Sequence, residues 1–324
     1  MCTAVSWKAG CHYFGRNLDL ERSYGETVAV TPRNYPFYFR YLPPMEQHYA
    51  MIGMATTVDG YPLYYEATNE AGLSMAGLNF PGLAHYRPTE AEKDNVPSFE
   101  LIPWVLGQCG SVTEAEELLK RLNITEDAFS KELKPTPLHW LLADSQGALT
   151  LEAMEDGLHI HRNPVGVLTN NPPFEYHLYQ LRSHMKLSAS QASNQFAQQL
   201  TLEPYSNGMG ALGLPGDYSS PSRFVKAAFV KLNSRCGHTE EECVSQFFHI
   251  LGSVAMPRGC VEMPDGTYEI TRYSCCCNTD KGIYYYTTYD NSRITAVDLQ
   301  AEDLTGTQVI TYPLLTAGDV YRQN

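Results

Sequence analysis

Runs of strand-like segments and runs of helix-like segments follow one another along this chain. β-Branched and aromatic residues dominate Cys2–Trp7 and His12–Arg16, which flank the turn-forming Lys8-Ala9-Gly10. A second hairpin is predicted near the C-terminus, where Ile283–Tyr289 and Ile294–Leu299 flank a short polar turn. Strands that are grouped in this way favour an α+β layered domain over a parallel doubly wound sheet.

Further strands and helices are predicted between these two hairpins. The strands are expected at Glu26–Thr31, Met51–Thr57, Leu63–Ala67, Leu73–Phe80, Leu138–Ala143, Leu149–Ala153 and Leu158–His161. The spacing of apolar residues predicts helices at Phe174–Met185, Ser222–Leu232 and Glu240–Leu251. Thr113 and Glu116 form a possible capping box, which predicts another helix that contains Leu118 and Leu122. No repeat or linker divides the sequence, so we expect one domain over residues 1–324.

Composition argues against several kinds of partner. Lys and Arg number 23 against 36 Asp and Glu, a net charge of -13 without any basic cluster, so no nucleic acid partner is expected. No apolar stretch reaches the roughly 20 residues that cross a bilayer, so no membrane partner is expected. The N-terminus carries no readable secretory signal and the 9 Cys include no C-x-x-C, which together favour a cytoplasmic protein with reduced thiols. We expect no metal and no cofactor.

Cys2 directly follows the initiator methionine. Cysteine is small enough that Met1 is expected to be removed, which would leave a thiol and a free α-amine on one residue. A thiolate is a strong nucleophile and an α-amine titrates near neutral pH, so this pair needs no histidine to move a proton. Taken alone, Cys2 is better explained as a small apolar residue of a buried strand.

Two charged residues on the next predicted strand change this balance. The hairpin would lay Arg16 and Asp19 beside Cys2. A guanidinium beside a thiol favours the thiolate, and a carboxylate beside the α-amine would orient it. The alternative is a surface ion pair at a strand end, which is common and weak but leaves the N-terminal thiol unexplained. The sequence therefore favours a cysteine nucleophile.

Several motifs occur in a fixed order: MCTAVSW, YFGRNLD, AGLNFPG, VLTNNPPF, GLPGDYSSPSRFV and TYDN. With them, from Cys2 to about Ile294, the chain resembles the choloylglycine hydrolase family, and within it the bile salt hydrolases. The resemblance implies a four-layer αββα sandwich of the N-terminal nucleophile hydrolase type. It also implies that Cys2 is the nucleophile, that Arg16 stabilises its thiolate, that Asp19 binds the α-amine and that Arg223 completes the charged network.

Two asparagines complete the catalytic set that the resemblance implies. Asn79 and Asn170 would donate hydrogen bonds to the oxyanion, with Asn170 chosen over its neighbour Asn171. Two such donors in a dry site would lower the barrier to amide attack substantially. Taken singly, each asparagine is explained equally well as a turn residue before proline, but the order of the motifs favours the catalytic role.

The substrate implied by the resemblance is a bile acid joined to glycine or taurine by an amide bond. A flat steroid needs an apolar groove with few polar anchors. Residues that could supply this groove are Leu20, Tyr24, Tyr61, Tyr65, Phe129 and Leu133. The resemblance also implies a homo-oligomer, specifically a homotetramer.

Three alternatives stay open at this point. A penicillin V acylase of the same family is disfavoured by Asn79, because those enzymes often carry tyrosine there. A glutamine-dependent amidotransferase also uses an N-terminal cysteine, but this chain has no room for the usual synthase domain. A non-catalytic bile acid binder is the third, and replacing Cys2 by alanine would separate it from an enzyme.

Overall fold

Sixteen strands and five α-helices make up the fold in a computed structural model that describes residues 1–324. The strands are β1 (Cys2–Ala9), β2 (Cys11–Leu20), β3 (Thr27–Thr31), β4 (Met51–Val58), β5 (Tyr61–Asn69), β6 (Ser74–Asn79), β7 (Asp94–Pro97), β8 (Leu122–Thr125), β9 (Leu138–Ala143), β10 (Ala148–Met154), β11 (Gly157–Arg162), β12 (Val167–Leu168), β13 (Ile270–Asn278), β14 (Ile283–Thr288), β15 (Thr295–Asp298) and β16 (Ile310–Pro313). The helices are α1 (Leu101–Gln108), α2 (Val112–Leu119), α3 (Phe174–Gln180), α4 (Ser220–Asn233) and α5 (Glu240–Gly252). None of these helices is both long enough and apolar enough to cross a membrane.

Fourteen strands form two antiparallel sheets. The six-stranded sheet has the order β12-β1-β2-β13-β14-β15, and the eight-stranded sheet has the order β11-β10-β9-β6-β5-β4-β3-β16. The short strands β7 and β8 pair in parallel outside both sheets. Both hairpins predicted from the sequence are present, as β1–β2 and β14–β15.

The two sheets face each other, and helices cover their outer surfaces. Helices α4 and α5 pack on β1 of the six-stranded sheet, whereas α1 and α2 pack on β5, β6 and β10 of the other. One apolar core lies around the six-stranded sheet and includes Phe14 and Met54. The second lies between the eight-stranded sheet and α1, and it includes Met75 and Leu106. The layers are therefore helix, sheet, sheet and helix, which confirms the predicted αββα sandwich.

Glycines allow the N-terminal hairpin to form and to pair with a third strand. Gly10 adopts φ +72° in the turn, a conformation that costs glycine little. From that turn the strands pair in full register, so that Cys2 lies opposite Leu18. On the other edge of β2, a Cβ atom at Gly15 would lie 1.9 Å from the carbonyl oxygen of Cys275. The bare backbone at Gly15 is therefore what lets β13 approach β2.

The predicted capping box at Thr113 was wrong by two residues. Helix α2 is capped by Ser111, whose side chain accepts a hydrogen bond from the backbone N–H of Glu114. Glu116 takes no part in this cap, and Leu122 lies in β8 rather than in the helix. Serine and threonine are nearly equivalent as N-caps, and both residues stand before an acidic residue three positions later, so local sequence could not separate them.

Helix α1 and strand β16 are among the elements that were not predicted from the sequence, together with β7, β8, β12 and β13. Helix α1 reads LIPWVLGQ, an almost continuous apolar run with no helical period, because all but its last residue are buried. Strand β16 is short, and it gains its only strand partner by pairing with β3. The predicted helix from Phe174 ends as an α-helix at Gln180, and Leu181–His184 continue it as a 3₁₀ turn.

All nine cysteines are free thiols. The adjacent Cys275, Cys276 and Cys277 alternate faces on β13, and all three are buried. Their burial agrees with the packing role that the sequence favoured over a reactive or metal-binding one.

Candidate active site

The N-terminal hairpin brings Cys2 and Arg16 to one face. Cys2 pairs with Leu18 and Ala4 pairs with Arg16, and side chains alternate along a strand, so Cys2 and Arg16 point to the same side. Arg16 donates from Nη1 to the carbonyl oxygens of Gly77 at 2.6 Å and Tyr65 at 3.1 Å in the opposite sheet. A fully buried cation therefore lies on the same face of the hairpin as the buried Cys2 thiol.

The charge of Arg16 is supported by its surroundings. Burial by itself lowers the pKa of this guanidinium, but nearby acidic groups, Glu66 among them, outweigh burial and raise the pKa overall. Arg16 also retains one buried nitrogen, Nη2, that has no hydrogen-bond partner in the protein. An anion at the site would therefore meet a permanently charged and incompletely bonded guanidinium.

Asp19 lies on the opposite face of β2, next to the chain terminus. The α-amine of Met1 donates to the backbone carbonyl of Asp19 at 2.7 Å and forms an ion pair with Glu269. The Asp19 carboxylate accepts from Thr271 Oγ1 at 2.6 Å, while its other oxygen is buried without a partner. Burial raises the pKa of Asp19, against the opposing effects of Arg223 and the α-amine. Asp19 thus lies beside the amine of Met1, which contacts its backbone carbonyl and not its carboxylate, so the binding of the Cys2 α-amine by Asp19 stays a prediction.

Asn170 connects the other predicted residues. Its Oδ1 accepts hydrogen bonds from the backbone N–H of Cys2 and from Arg223 Nη2, both at 2.8 Å. Its Nδ2 donates to the backbone carbonyl of Asn79 at 2.7 Å. Asn171 instead donates to the carbonyl of Pro81. The fold therefore brings Asn170, and not its neighbour, against Cys2.

Arg223 completes this group from the helix layer. It is fully buried in the first turn of α4, and it donates to Thr3 Oγ1 at 2.7 Å and to the carbonyl of Cys2. Its Nε donates to the carbonyl of Tyr218 at 3.0 Å. All six residues predicted as catalytic, Cys2, Arg16, Asp19, Asn79, Asn170 and Arg223, thus lie around the N-terminal end of β1.

Two further residues hold the backbone of Asn170, and neither carried a sequence signal. His177 Nε2 lies 2.8 Å from the Asn170 carbonyl, and Ser220 Oγ accepts from the Asn170 N–H at 2.7 Å. Burial lowers the pKa of His177 to about 4, so its imidazole is neutral and donates through Nε2. A lone histidine in a helix and a serine at a helix start have no spacing that marks them as functional.

A buried histidine and glutamate support the preceding residue. His139 bonds the carboxylate of Glu152 through Nδ1 and the carbonyl of Thr169 through Nε2, both at 2.9 Å. Glu152 also accepts from the backbone N–H of Phe174 at the start of α3. The loop that carries Asn170 is therefore fixed at both ends by buried polar contacts.

The residues predicted to bind the substrate fall into two groups. In the first, Tyr65 OH lies 2.9 Å from Thr56 Oγ1, which donates to the carbonyl of Tyr24 at 3.2 Å. Leu20 ends β2 directly after Asp19 and packs against the same core as Tyr65.

The second group is aromatic. The rings of Tyr61 and Phe129 have centroids 5.7 Å apart, and Phe129 bonds the backbone of Leu133. Phe99 joins them with its centroid 5.2 Å from that of Phe129, a contact that the sequence did not indicate. The hydroxyl of Tyr61 is buried without a partner.

A cavity of about 460 Å³ borders the amine end of the site. Thr271 and Tyr218, which contact Asp19 and Arg223, are among its lining residues. None of the six residues predicted to bind the substrate lines this cavity.

Residues 2–312 match the model of one protein family, described as linear amide C-N hydrolases, choloylglycine hydrolase family. The chain belongs to the choloylglycine hydrolase family. It is therefore an enzyme of the linear amide C-N hydrolase class, and the resemblance read from the sequence motifs is confirmed. The match extends beyond Ile294, the approximate limit indicated by those motifs, into β16.

Relatives in sequence and structure agree with this family. A protein of Lactiplantibacillus plantarum named bile salt hydrolase/transferase is 52% identical over 324 residues, covering 100% of both chains. The structure of a mutant conjugated bile acid hydrolase from Clostridium perfringens superposes with a TM-score of 0.93 at 34% identity, again over 100% of both chains. Penicillin V acylase from Agrobacterium tumefaciens shares the fold, with a TM-score of 0.76 at 19% identity, covering 96% of this chain and 90% of that one.

Proposed function

We propose that this chain hydrolyses the amide bond of glycine- and taurine-conjugated bile acids and releases free bile acid and amino acid. The observation that carries the reaction type is the set of contacts around Asn170, which joins the backbone of Cys2, Arg223 and Asn79. The bile acid substrate is taken from the names of relatives such as the 52% identical bile salt hydrolase/transferase. Residues 1–324 act as one catalytic domain.

The reaction starts with attack of the Cys2 sulfur on the substrate carbonyl. Arg16 favours the thiolate because its buried positive charge is close to the sulfur. Asn79 and Asn170 donate to the oxyanion that forms, and Asn170 retains one N–H for this because only the other is bonded to Asn79. Collapse of the tetrahedral intermediate leaves a thioester on Cys2, which water then hydrolyses.

The α-amine of Cys2 carries the proton in both steps. It becomes free when Met1 is removed, and Asn170 Oδ1, now 2.8 Å from the Cys2 nitrogen, would orient it. The amine delivers the proton to the departing glycine or taurine and then accepts one from the attacking water. Asp19 supplies a negative charge near this amine. A variant that retains Met1 is therefore expected to be inactive.

Release of amine from glycocholate, taurocholate and penicillin V, measured side by side with reductant present, tests this function. We expect release from the two bile salts, no release by Cys2→Ala, and unchanged release by Cys260→Ala, a matched control at an exposed cysteine. Turnover of penicillin V alone would refute the substrate class and keep the mechanism. Binding of glycocholate without turnover, by a chain shown to lack Met1, would indicate a binding protein.

The thioester on Cys2 also allows a second reaction. An added amine can attack it in place of water, so that the acyl group is transferred to that amine. The name of the L. plantarum relative includes a transferase activity. An added amino acid should therefore divert part of the acyl group into a new amide, at the expense of free bile acid. Formation of free bile acid only, at saturating added amine, would contradict this second activity.

The proposal also includes a cytoplasmic location and a homotetramer. Nine free thiols fit a reducing cytoplasm. The homotetramer follows from the family resemblance, and the exposed apolar residues Phe196, Tyr205 and Leu212 offer surface for subunit contacts. Light scattering on the purified enzyme would test the tetramer, and a monomeric mass would contradict it.

A further inference from the structure

A second buried carboxylate, Glu66, lies next to Arg16. It is on β5, in the sheet that faces the N-terminal hairpin, and it is 2% exposed. Glu66 Oε2 is 3.7 Å from Arg16 Nη1, and it is the one carboxylate within 4 Å of that guanidinium. The direct hydrogen bonds of Arg16 all go to uncharged backbone carbonyls. Glu66 therefore supplies the negative charge that a guanidinium removed from water requires.

Three donors hold Glu66 in place from the six-stranded sheet. Tyr273 OH donates at 2.7 Å and Tyr284 OH at 2.6 Å, and the Cys275 thiol lies at 3.4 Å. An ionised carboxylate only accepts hydrogen bonds, so this set of donors matches its charged form. Burial raises the pKa of Glu66, and Arg16 and the two phenols oppose that rise.

Charged groups lie on both faces of the hairpin that carries Cys2. Arg16 and Glu66 form an ion pair on the face between the sheets, whereas Arg223 and Asp19 lie on the helix side and interact electrostatically without an ion-pair contact within 4 Å. The terminal amine adds one more charge near Asp19. Because Glu66 is negative, its field at Cys2 opposes the field of Arg16.

We propose that Glu66 is a positioning residue that fixes the Arg16 guanidinium and offsets part of its charge, and so sets the pH at which the Cys2 thiol becomes reactive. The proposal rests on Cys2 being the nucleophile. It assigns to Glu66 a role outside the six residues that contact the reacting groups. Without this carboxylate, Arg16 would favour the thiolate more strongly and would be held less firmly.

The pH dependence of Cys2 alkylation by iodoacetamide measures this role. The rate is followed on the N-terminal peptide by mass spectrometry, so that the other eight cysteines do not interfere. In Glu66→Gln we expect the midpoint of the rate profile to move to lower pH, because the charge of Arg16 is then no longer offset. Glu66→Asp keeps the charge and should stay closer to the wild type than Glu66→Gln.

A matched control is available in Glu240, which lies beside the same two strands β13 and β14. It accepts from Asn278, Tyr285 and Lys281 and does not contact Arg16. Glu240→Gln should therefore leave the midpoint unchanged. A midpoint that is unchanged or raised in Glu66→Gln would overturn the proposal.

A double variant keeps the test decisive if Glu66→Gln does not fold. Removing one partner of a buried pair leaves an uncompensated charge, whereas removing both is tolerated. Arg16→Met/Glu66→Gln should then recover soluble folded protein, and failure to recover it would refute the pairing. Alkylation needs no turnover, so an enzyme that shows the shift but releases no amine would refute the proposed function and not the role of Glu66.

Discussion

Replacement of Asn170 by aspartate separates the two functions of this side chain. Asn170→Asp keeps an oxygen where Oδ1 accepts from the Cys2 N–H and Arg223, but it replaces the Nδ2 donor, 2.7 Å from the Asn79 carbonyl, by an acceptor. Loss of one oxyanion donor costs about 10²–10³ in kcat. The new carboxylate also lies close to the thiol and disfavours the thiolate, so we expect a fall in kcat of at least about 10² with a smaller change in KM.

The stability of this variant should change much less than its activity. The lost hydrogen bond to Asn79 contributes on the order of 1 kcal/mol to the free energy of unfolding, and the new ion pair with Arg223 offsets part of that loss. Asn171→Asp is the matched control, because Asn171 donates the same type of hydrogen bond to Pro81 at 2.8 Å but does not reach Cys2. Steady-state amine release and urea unfolding measure both quantities. A kcat of Asn170→Asp within about tenfold of the wild type would refute the oxyanion role.

Three further predictions concern stability and reactivity. Burial lowers the pKa of His12 to about 4, whereas in the unfolded chain this pKa is near 6.5. Between these two pH values only the unfolded chain takes up the proton, so the free energy of unfolding decreases as the pH is lowered from 6.5 to 4. His12→Gln should make that fall about 3 kcal/mol smaller in urea titrations at pH 7 and pH 4, and an equal fall would contradict it. Gly15→Ala should lower the free energy of unfolding by more than about 3 kcal/mol, because the new Cβ would collide with the Cys275 carbonyl. Gly147→Ala is the control: its Cβ meets nothing within 4 Å, so the same assay should show almost no change. Dilute peroxide should abolish amine release and thiol reductant should restore it, and unaltered activity would contradict a reactive thiolate at Cys2.

Local patterns predicted those parts of the fold that local interactions determine. The strands of both hairpins, the helix around Arg223 and the layered class follow from alternation, turn residues and helical spacing. Helix α1 and strand β16 did not follow, because one is apolar on all sides and the other depends on a partner strand far away in the sequence. Elements whose pattern is set by distant packing have no local signature.

The candidate site divides in the same way. Cys2, Arg16 and Asp19 lie on one hairpin, so their proximity could be argued from the sequence alone. The neighbourhood of Asn170 and Arg223 came from the family resemblance, since residues on separate loops and layers have no readable spacing. Glu66 stayed undetected because it is an isolated carboxylate in β5 with no motif around it, and only the facing sheet gives it Arg16, Tyr273 and Tyr284 as partners.

Acid-quenched intact mass spectrometry during turnover of glycocholate tests the central claim most directly. The mechanism predicts a chain without Met1 that carries one cholyl group, and peptide mapping should place that group on Cys2 as a thioester. The adduct should be absent in Cys2→Ala. A fully active chain that retains Met1, or an acyl group on any other residue, would contradict the α-amine mechanism.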